Sequence, residues 1–424
     1  MKRWIIWALI CTLISAALSQ PVLAQPEQPE TISVYVDGLP VAFDAPPVIR
    51  NDRALVPFRA VAEALNIGVE WDASTKTVSA HDRGTSVVLR IDGPETLKNG
   101  EEVPLDAPPT IIGNRTMIPL RFFGEAFGCS ITWDAAAKEV RMASPAREMT
   151  VVGFYALGVP GESSSWEDLF GKPYPGKAEG NTALLSGLAF GWYSMDKQGT
   201  LLSDSSTGWR KPDGWENVLE ASREYKLKTE MVVNMTDTGG AIRSLLSDKK
   251  AVKKAVDGIA AEAKLYQGVN LDFEGLGWRD EEEERTAVQR SFSSFVELLS
   301  ARLKQDGVKL TLTLHPPNSA YGGYDYKALG QTADRIIIMA YDYNPQPAPE
   351  PVDKVIEAVE EAKSQVPAEK LLLGISASSE TPGTISTKVG IAKKYGLDGI
   401  ALWRLGLLHQ DMWSALGKAV KARK

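Results

Sequence analysis

The sequence predicts an α/β chain whose larger part is a (β/α)8 barrel, preceded by a smaller α+β domain made of two repeats. Three observations carry that expectation. Strand-like runs alternate with helical runs eight times between Met149 and the C-terminus, the count and spacing of a closed barrel. A pair of motifs recurs upstream at a fixed offset. The stretch Gln267-Gly268-Val269-Asn270-Leu271-Asp272-Phe273-Glu274 alternates apolar and polar residues between two helical segments. Period-2 geometry puts Asn270, Asp272 and Glu274 on one face and Val269, Leu271 and Phe273 on the other. An open doubly wound sheet is the alternative. It would carry a Gly-rich phosphate loop after its first strand, and Tyr155-Ala156-Leu157-Gly158-Val159-Pro160 lacks that spacing.

The chain has 424 residues, 44% of them hydrophobic and 24% charged, ordinary values for a globular protein of two or three domains. A net charge of −7 argues against nucleic acid as the main partner. Binding to an anionic polymer would have to rest on sugar contacts rather than on bulk charge.

Residues 1–24 read as a secretory signal peptide. Lys2 and Arg3 form the charged region, Trp4 to Leu18 the apolar core, and Val22-Leu23-Ala24 the cleavage site. An uncleaved anchor is the alternative, but Ser15, Ser19 and Gln20 interrupt a run already short for a membrane span. Secretion and an envelope location follow as expectations. Cys11 falls inside the signal, which leaves Cys129 alone and no internal disulfide. Residues 25–31 are a Pro/Gln/Glu linker.

Residues 32–143 contain the duplication. Val56-Pro57-Phe58-Arg59 with Val69-Glu70-Trp71-Asp72 is matched by Ile118-Pro119-Leu120-Arg121 with Ile131-Thr132-Trp133-Asp134, every equivalent pair 62 apart, as 119 is from 57. Each copy reads as a strand, a loop, a short amphipathic helix and a hairpin, with Phe58, Val61, Ala62 and Leu65 at core spacing. Arg59 and Arg121 either meet an anionic ligand or, as the favoured reading, hydrogen-bond loop carbonyls or Asp72 and Asp134. Trp71 and Trp133 either stack on sugars or, as the favoured reading, anchor the core. The copies resemble the copper amine oxidase N-terminal-like repeat, an envelope-associated module. That resemblance implies association with the cell wall. One histidine, His81, offers no basis for copper ligation.

Residues 144–148 read as a linker, and 149–424 as the barrel. The strands are expected at Val151–Ala156, Leu184–Trp192, Lys228–Asn234, Val269–Glu274, Lys309–His315, Arg335–Tyr341, Lys370–Ser376 and Gly399–Trp403. Helices are expected at Trp215–Tyr225, Lys249–Leu265, Thr286–Gln305, Val352–Gln365 and Ile385–Tyr395. Chemistry in such barrels sits at the C-terminal strand ends, where Tyr155, Trp192, Tyr193, Asn234, Asp272, Glu274, His315, Tyr341, Asp342 and Trp403 fall. Any one of them can be a structural plug; the set is harder to explain that way. Asp272 and Glu274, two apart, have Cα atoms about 6–7 Å apart on one face. Two like charges that close raise the pair's pKa, and the retained proton suits a general acid. Glu274, at the mouth, is better placed to reach a leaving group than Asp272. The acidic run Glu281 to Glu284 reads as a helix start that complements the dipole. His315 is left between substrate contact and a loop hydrogen bond. Tyr321, Tyr324, Tyr326 and Trp278 are left between a sugar platform and structural roles, and Trp413 reads as core.

Gly-Val-Asn-Leu-Asp-Phe-Glu at 268–274, Met339-Ala340-Tyr341-Asp342-Tyr343 and Ala401-Leu402-Trp403-Arg404-Leu405-Gly406 resemble the fourth-, sixth- and eighth-strand motifs of glycoside hydrolase family 18. The likeness is greatest to the bacterial branch with spore-cortex-lytic N-acetylglucosaminidases. The resemblance implies a TIM barrel and substrate-assisted retaining hydrolysis next to N-acetylglucosamine in peptidoglycan or a chitin-like polymer. It implies Glu274 as acid and base, Asp272 orienting the 2-acetamido group, Tyr341 bonding its oxygen, and Trp403, Met339 and Asp342 lining the site. Asn270, Tyr155, Trp192 and Asn234 complete the expected substrate-binding set. No metal or organic cofactor is implied. Gln267 and Asn270 stand where the commonest pattern has Asp, and Ser376 to Lys388 is too short for an insertion between strands seven and eight. The competing readings are a barrel that binds GlcNAc polymers without cutting them, and an envelope scaffold in which the repeats provide the function.

Overall fold

Eight parallel strands close into a ring, so every strand buries both faces. The computed structural model describes residues 32–50, 53–91, 93, 95–105, 107–156, 164–205 and 209–424. The expected signal peptide, the first linker and Leu157–Pro160 lie outside the described residues. The strands are β1 (Arg147–Tyr155), β2 (Gly187–Met195), β3 (Lys228–Thr236), β4 (Gly268–Glu274), β5 (Lys309–Leu314), β6 (Arg335–Ile338), β7 (Leu371–Ser376) and β8 (Gly399–Trp403). β1 pairs with β2 on one side and β8 on the other, which closes the barrel. Helices α1 (Ser165–Phe170), α2 (Trp215–Glu224), α3 (Lys249–Glu262), α4 (Glu282–Lys304), α5 (Tyr326–Thr332), α6 (Val352–Lys363), α7 (Pro382–Lys394) and α8 (Gln410–Ala419) form the outer layer. All eight expected strands are present. β2 starts three residues late because Thr182–Leu184 is a 3-10 turn, and β6 stops at Ile338, short of the expected Tyr341.

Alternation along the strands divides the barrel into two cores. Val269, Leu271 and Phe273 of β4 face the helices, where Phe273 stacks on Phe295 of α4 at 5.7 Å. The opposite face of the ring encloses a small apolar plug of Val152, Phe154, Ala189, Val232, Ile337, Leu372 and Ala401. Toward the strands' N-terminal ends lies a polar network. Glu230 Oε1 accepts from Thr311 at 2.9 Å and pairs with Arg335 at 3.3 Å. The network borders a cavity of about 480 Å³ at that end, lined by Glu230, Thr311 and Arg335 among others, while the C-terminal mouth gathers the carboxyls of β4. No inserted domain separates β7 from β8: α7 begins six residues after Ser376 and runs to Lys394, as the short spacing requires.

The repeats fold as one exchanged pair. Strand Arg53–Pro57 leads straight into helix Phe58–Ala64, without the expected loop, and the hairpin Gly68–Asp72 with Thr77–Asp82 follows. Strand Arg115–Pro119, helix Leu120–Ala126 and the hairpin Ser130–Asp134 with Glu139–Ala143 repeat that order. The two first strands pair antiparallel with Val56 opposite Ile118, equivalent positions of the two copies, so a local twofold axis passes between them. Phe58 and Phe123 meet edge to face at 5.1 Å across that join. The expectation that Trp71 and Trp133 anchor this core is overturned, because they are 46% and 48% exposed. Nor do Arg59 and Arg121 bind the motif aspartates. Asp72 accepts from Ser74 and Thr75, and Asp134 from the backbone of Ala136 and Ala137.

The expected 144–148 linker is not a free tether. Its last two residues begin β1, and Ser144 donates through N and Oγ to Asp37 at 2.8 and 2.6 Å. Lys393 of α7 donates to Ser144 Oγ at 3.0 Å and lies 3.7 Å from the Asp37 carboxylate. Asp37 therefore neutralises a largely buried ammonium where the repeat domain meets the barrel. We expect Asp37→Ala to cost about 3–5 kcal/mol, the usual result of leaving a buried charge unpaired. Denaturant unfolding checks it, and a loss below about 1 kcal/mol would contradict the assignment.

Candidate active site

The mouth of β4 carries two carboxyls two residues apart, Asp272 and Glu274. Asn270 and Asp272 are buried and Glu274 is partly open. Neighbouring β3 is in register with β4, Asn234 beside Asp272. The Asn234 amide donates to Asp272 Oδ2 at 3.0 Å and to Glu274 Oε1 at 3.2 Å, so one side chain bridges both carboxyls. Asp272 Oδ1 is buried with no hydrogen-bond partner among the described residues. Burial raises the pKa of Asp272 well above the ordinary carboxyl range, and the charge of Glu274 adds to it. Burial also raises Glu274, with a further push from Asp342, while Asn234 pulls both values down. The pair thus retains a proton at pH values where separate carboxyls would be ionised.

Below the pair, Asn270 accepts from Thr313 at 2.7 Å. Burial raises the pKa of Glu230, and Asn270 and Arg335 oppose that rise. Asn270 thus lies between the carboxyl pair and the polar network underneath. Gln267 lies before β4 starts, accepting from the backbone of Thr229 at 2.9 Å, so its departure from the commoner Asp falls at the far end of the barrel.

β6 delivers the opposite wall. Asp342 has φ +62, a left-handed conformation that Asp tolerates. Glu350 holds it there by accepting the backbone N–H of Asp342 at 2.9 Å and of Tyr343 at 3.2 Å. Glu350 is fixed in turn by Glu380 and Lys388, a buried ion pair at 3.2 Å. Tyr341 can lie against β7 because Gly374 has no side chain. A Cβ there would stand 3.1 Å from the Tyr341 ring and 2.7 Å from Ile338 O. Burial and the nearby Asp272 and Glu274 push the Tyr341 phenol well up, which keeps it a proton donor. Met339 is buried just before it.

Trp403 ends β8 beside the same mouth. It meets Phe154 edge to face at 5.2 Å and stacks with Trp209 at 6.0 Å. Trp209, from the β2–α2 connection, escaped sequence reasoning because it lies in no strand. Its one signal was Gly191 of β2, where a Cβ would stand 2.9 Å from the Trp209 ring. His315 lies 3.9 Å from Glu274 and stacks on Tyr321 at 4.0 Å, and burial lowers its pKa to about 4. It is therefore a neutral imidazole beside the acid at neutral pH.

Two expected binding residues are elsewhere. Tyr155 and Trp192 pack with Phe190 in the layer between ring and helices, Trp192 entirely buried. They follow the alternation of their own strands: Phe154 faces the lumen, so Tyr155 does not. A register shift between Phe190 and Tyr193 re-phases β2. Tyr324 and Tyr326 are structural, donating to the carbonyls of Phe273 at 2.8 Å and His315 at 2.9 Å. Of the expected platform, Tyr321 and the exposed Trp278, paired through a backbone bridge, remain near the mouth.

This geometry has counterparts. Residues 152–382 match the model of glycosyl hydrolases family 18, and residues 35–142 that of the copper amine oxidase N-terminal domain. The chain belongs to glycosyl hydrolases family 18. A cortical fragment-lytic enzyme of Bacillus cereus is 26% identical over 206 residues, 45% of this chain and 44% of that protein. The chain spans less than half the length of the curated cortical fragment-lytic relatives it matches, 31% for that of Bacillus anthracis. In fold it is similar to the spore cortex-lytic enzyme SleL of Bacillus cereus, with TM-score 0.53, 18% identity and coverage of 66% of this chain and 77% of that one. A class V chitinase from Pseudomonas fluorescens Pf-5 gives TM-score 0.52 at 20% identity over 64% of this chain and 99% of that one.

The bridge from Asn234 sets a pH prediction. A donor that favours both ionised carboxyls lowers their pKa values. Activity that needs the retained proton falls as pH rises through the pair's upper value. Without the donor that value rises, so Asn234→Ala should move the alkaline limb of kcat/KM to higher pH. The same change should lower kcat about tenfold or more, since hydrogen bonds to charged groups are worth roughly 1.5–3 kcal/mol. A pH–rate profile with an unmoved alkaline limb would contradict the bridge.

Proposed function

We propose that this chain is a secreted glycosidase that hydrolyses β-linkages next to N-acetylglucosamine in peptidoglycan or a chitin-like polymer, by substrate-assisted retaining catalysis. The observation that carries the reading is the buried Asp272–Glu274 pair under the Asn234 bridge, a proton store at a barrel mouth. Family membership and the names of the relatives support the same substrate class.

In the proposed reaction the carbonyl oxygen of the substrate's own 2-acetamido group attacks C1. The C1–O glycosidic bond breaks as Glu274 gives its proton to the leaving oxygen. Asp272, with one carboxyl oxygen free of partners, accepts the acetamido N–H and stabilises the positive oxazolinium. Tyr341 donates to the acetamido oxygen. Water then attacks C1, Glu274 takes its proton, and the ring reopens with the anomeric configuration retained. Trp403, with Trp209 stacked beside it, supplies the apolar floor. Asn270, Met339 and Asp342 shape the pocket around the pair. The repeat domain associates with the wall.

Glu274→Gln keeps the shape and removes the transferable proton. It should lower kcat by about 10²–10⁴-fold while sugar binding persists. Mass spectrometry of muropeptides and chitooligosaccharides after digestion reads both the loss and the preferred polymer. Undiminished turnover would overturn the assignment of the acid.

A further inference from the structure

The two repeats carry two matching grooves. Helix start and hairpin of one copy form each groove's floor, and the strand pair that precedes the other copy's helix, Val48–Arg50 with Arg53–Pro57 or Thr110–Ile112 with Arg115–Pro119, closes it. In the first groove, Phe58, Arg59, Val69 and Trp71 face Ile111 and Thr116. In the second, Leu120, Arg121, Ile131 and Trp133 face Ile49 and Ala54. Every member has its counterpart 62 residues away, as Trp133 has Trp71 and Ile111 has Ile49. The grooves measure about 470 and 340 Å³. Neither copy makes a groove alone, so the pairing of the two copies across the local twofold is what builds both.

Their chemistry is unusual for a folded surface. Trp71, Trp133, Ile111 and Ile49 are 46%, 48%, 47% and 57% exposed, half of the eight large exposed apolar side chains among the described residues. Arg59 and Arg121 are exposed, and among the described residues neither has a hydrogen-bond or ion-pair partner. Asp44 borders the first groove but is taken by Arg115 at 2.5 Å, and Glu70, also at that border, is replaced by Thr132 in the other copy. An indole face covers the apolar face of a pyranose, and a guanidinium takes a carboxylate in a fork. A ligand that needs both, twice, is a repeating glycan that bears carboxylates.

We propose that the paired grooves are two equivalent binding sites for peptidoglycan, each seating a sugar on Trp71 or Trp133 and a lactyl or stem-peptide carboxylate on Arg59 or Arg121. The choice of peptidoglycan over other acidic glycans rests on the wall-polymer reading of the barrel; the grooves themselves do not. Two sites on one chain hold a polymer by avidity, which gains about 10²–10⁴ over one site when the geometry lets both engage. The chain's net charge of −7 repels an acidic polymer in general. The arginines therefore act at contact rather than by attraction from afar.

The test is co-sedimentation of the full chain, carrying Glu274→Gln so that nothing is cut, with purified peptidoglycan sacculi. Trp71→Ala or Trp133→Ala alone should weaken binding about a hundredfold or more, toward the level of one-site binding, and the two together should remove binding through the grooves. Arg59→Gln with Arg121→Gln should weaken it on native sacculi and have no further effect on sacculi whose carboxyls have been amidated. Circular dichroism controls folding, and the arginine pair decides the matter should the tryptophan variants unfold, since both arginines are exposed and unpartnered among the described residues. Unchanged sacculus binding in the combined variants would overturn the proposal. So would a self-associating chain that becomes monomeric when Trp71 and Trp133 are lost, which would make a second copy the occupant. Hydrolysis by the parental chain is read separately, so groove-dependent binding without cleavage contradicts the catalytic reading alone.

Discussion

One hydrogen-bond donor, the amide of Asn234, stands between two carboxyls whose pKa values burial raises. Much of the barrel serves that arrangement. The ring fixes β3 and β4 in register, so the amide reaches Asp272 and Glu274 together. The apolar plug and the Glu230 network occupy the ring toward the N-terminal strand ends. A buried acid pair with no donor would hold its proton too tightly to release it. With cations in place of the amide, it would hold none near neutrality. His315 fits this scheme because burial keeps it neutral beside Glu274.

The opposite wall shows a different economy. Asp342 adopts a backbone conformation that it does not prefer, and its charge acts on Glu274. Glu350 secures the turn from outside, and the buried Lys388–Glu380 pair secures Glu350. The Lys388–Glu380 pair thus holds the backbone of Glu350, and the Glu350 carboxylate holds the Asp342 turn. The other end of the same helix carries Lys393, which pairs with Asp37 of the repeat domain. One helix therefore serves both the active-site wall and the interface with the repeats.

Much of this was legible in the sequence. The eight strands and the polar face of β4 follow from periodicity, because each strand has one face toward the lumen and one toward the helices. Glu274, Asp272, Asn234, Tyr341, Asp342 and Trp403 come together as their strand-end positions imply. Tyr155 and Trp192 do not, for a reason the same periodicity contains: a strand end is not a lumen face, and one residue of phase separates Phe154 from Tyr155. The shift in β2 is a local backbone irregularity with no residue signature. Trp209, Glu350 and Glu380 belong to connections, whose paths no pattern encodes. Trp71 and Trp133 were misjudged because recurrence with a repeat suits a core anchor and a repeated site equally well, and exposure alone separates the two.

Under the Asn234 bridge, Asp272 and Glu274 together retain a proton above the ordinary carboxylate range. Carbon-13 NMR of carboxyl-labelled Asp and Glu, followed through a pH titration, counts it directly. The account predicts two separate steps for the pair, the upper one raised out of the ordinary carboxylate range and lost in Glu274→Gln. Titration of both groups in a single step at ordinary carboxylate pH would contradict it.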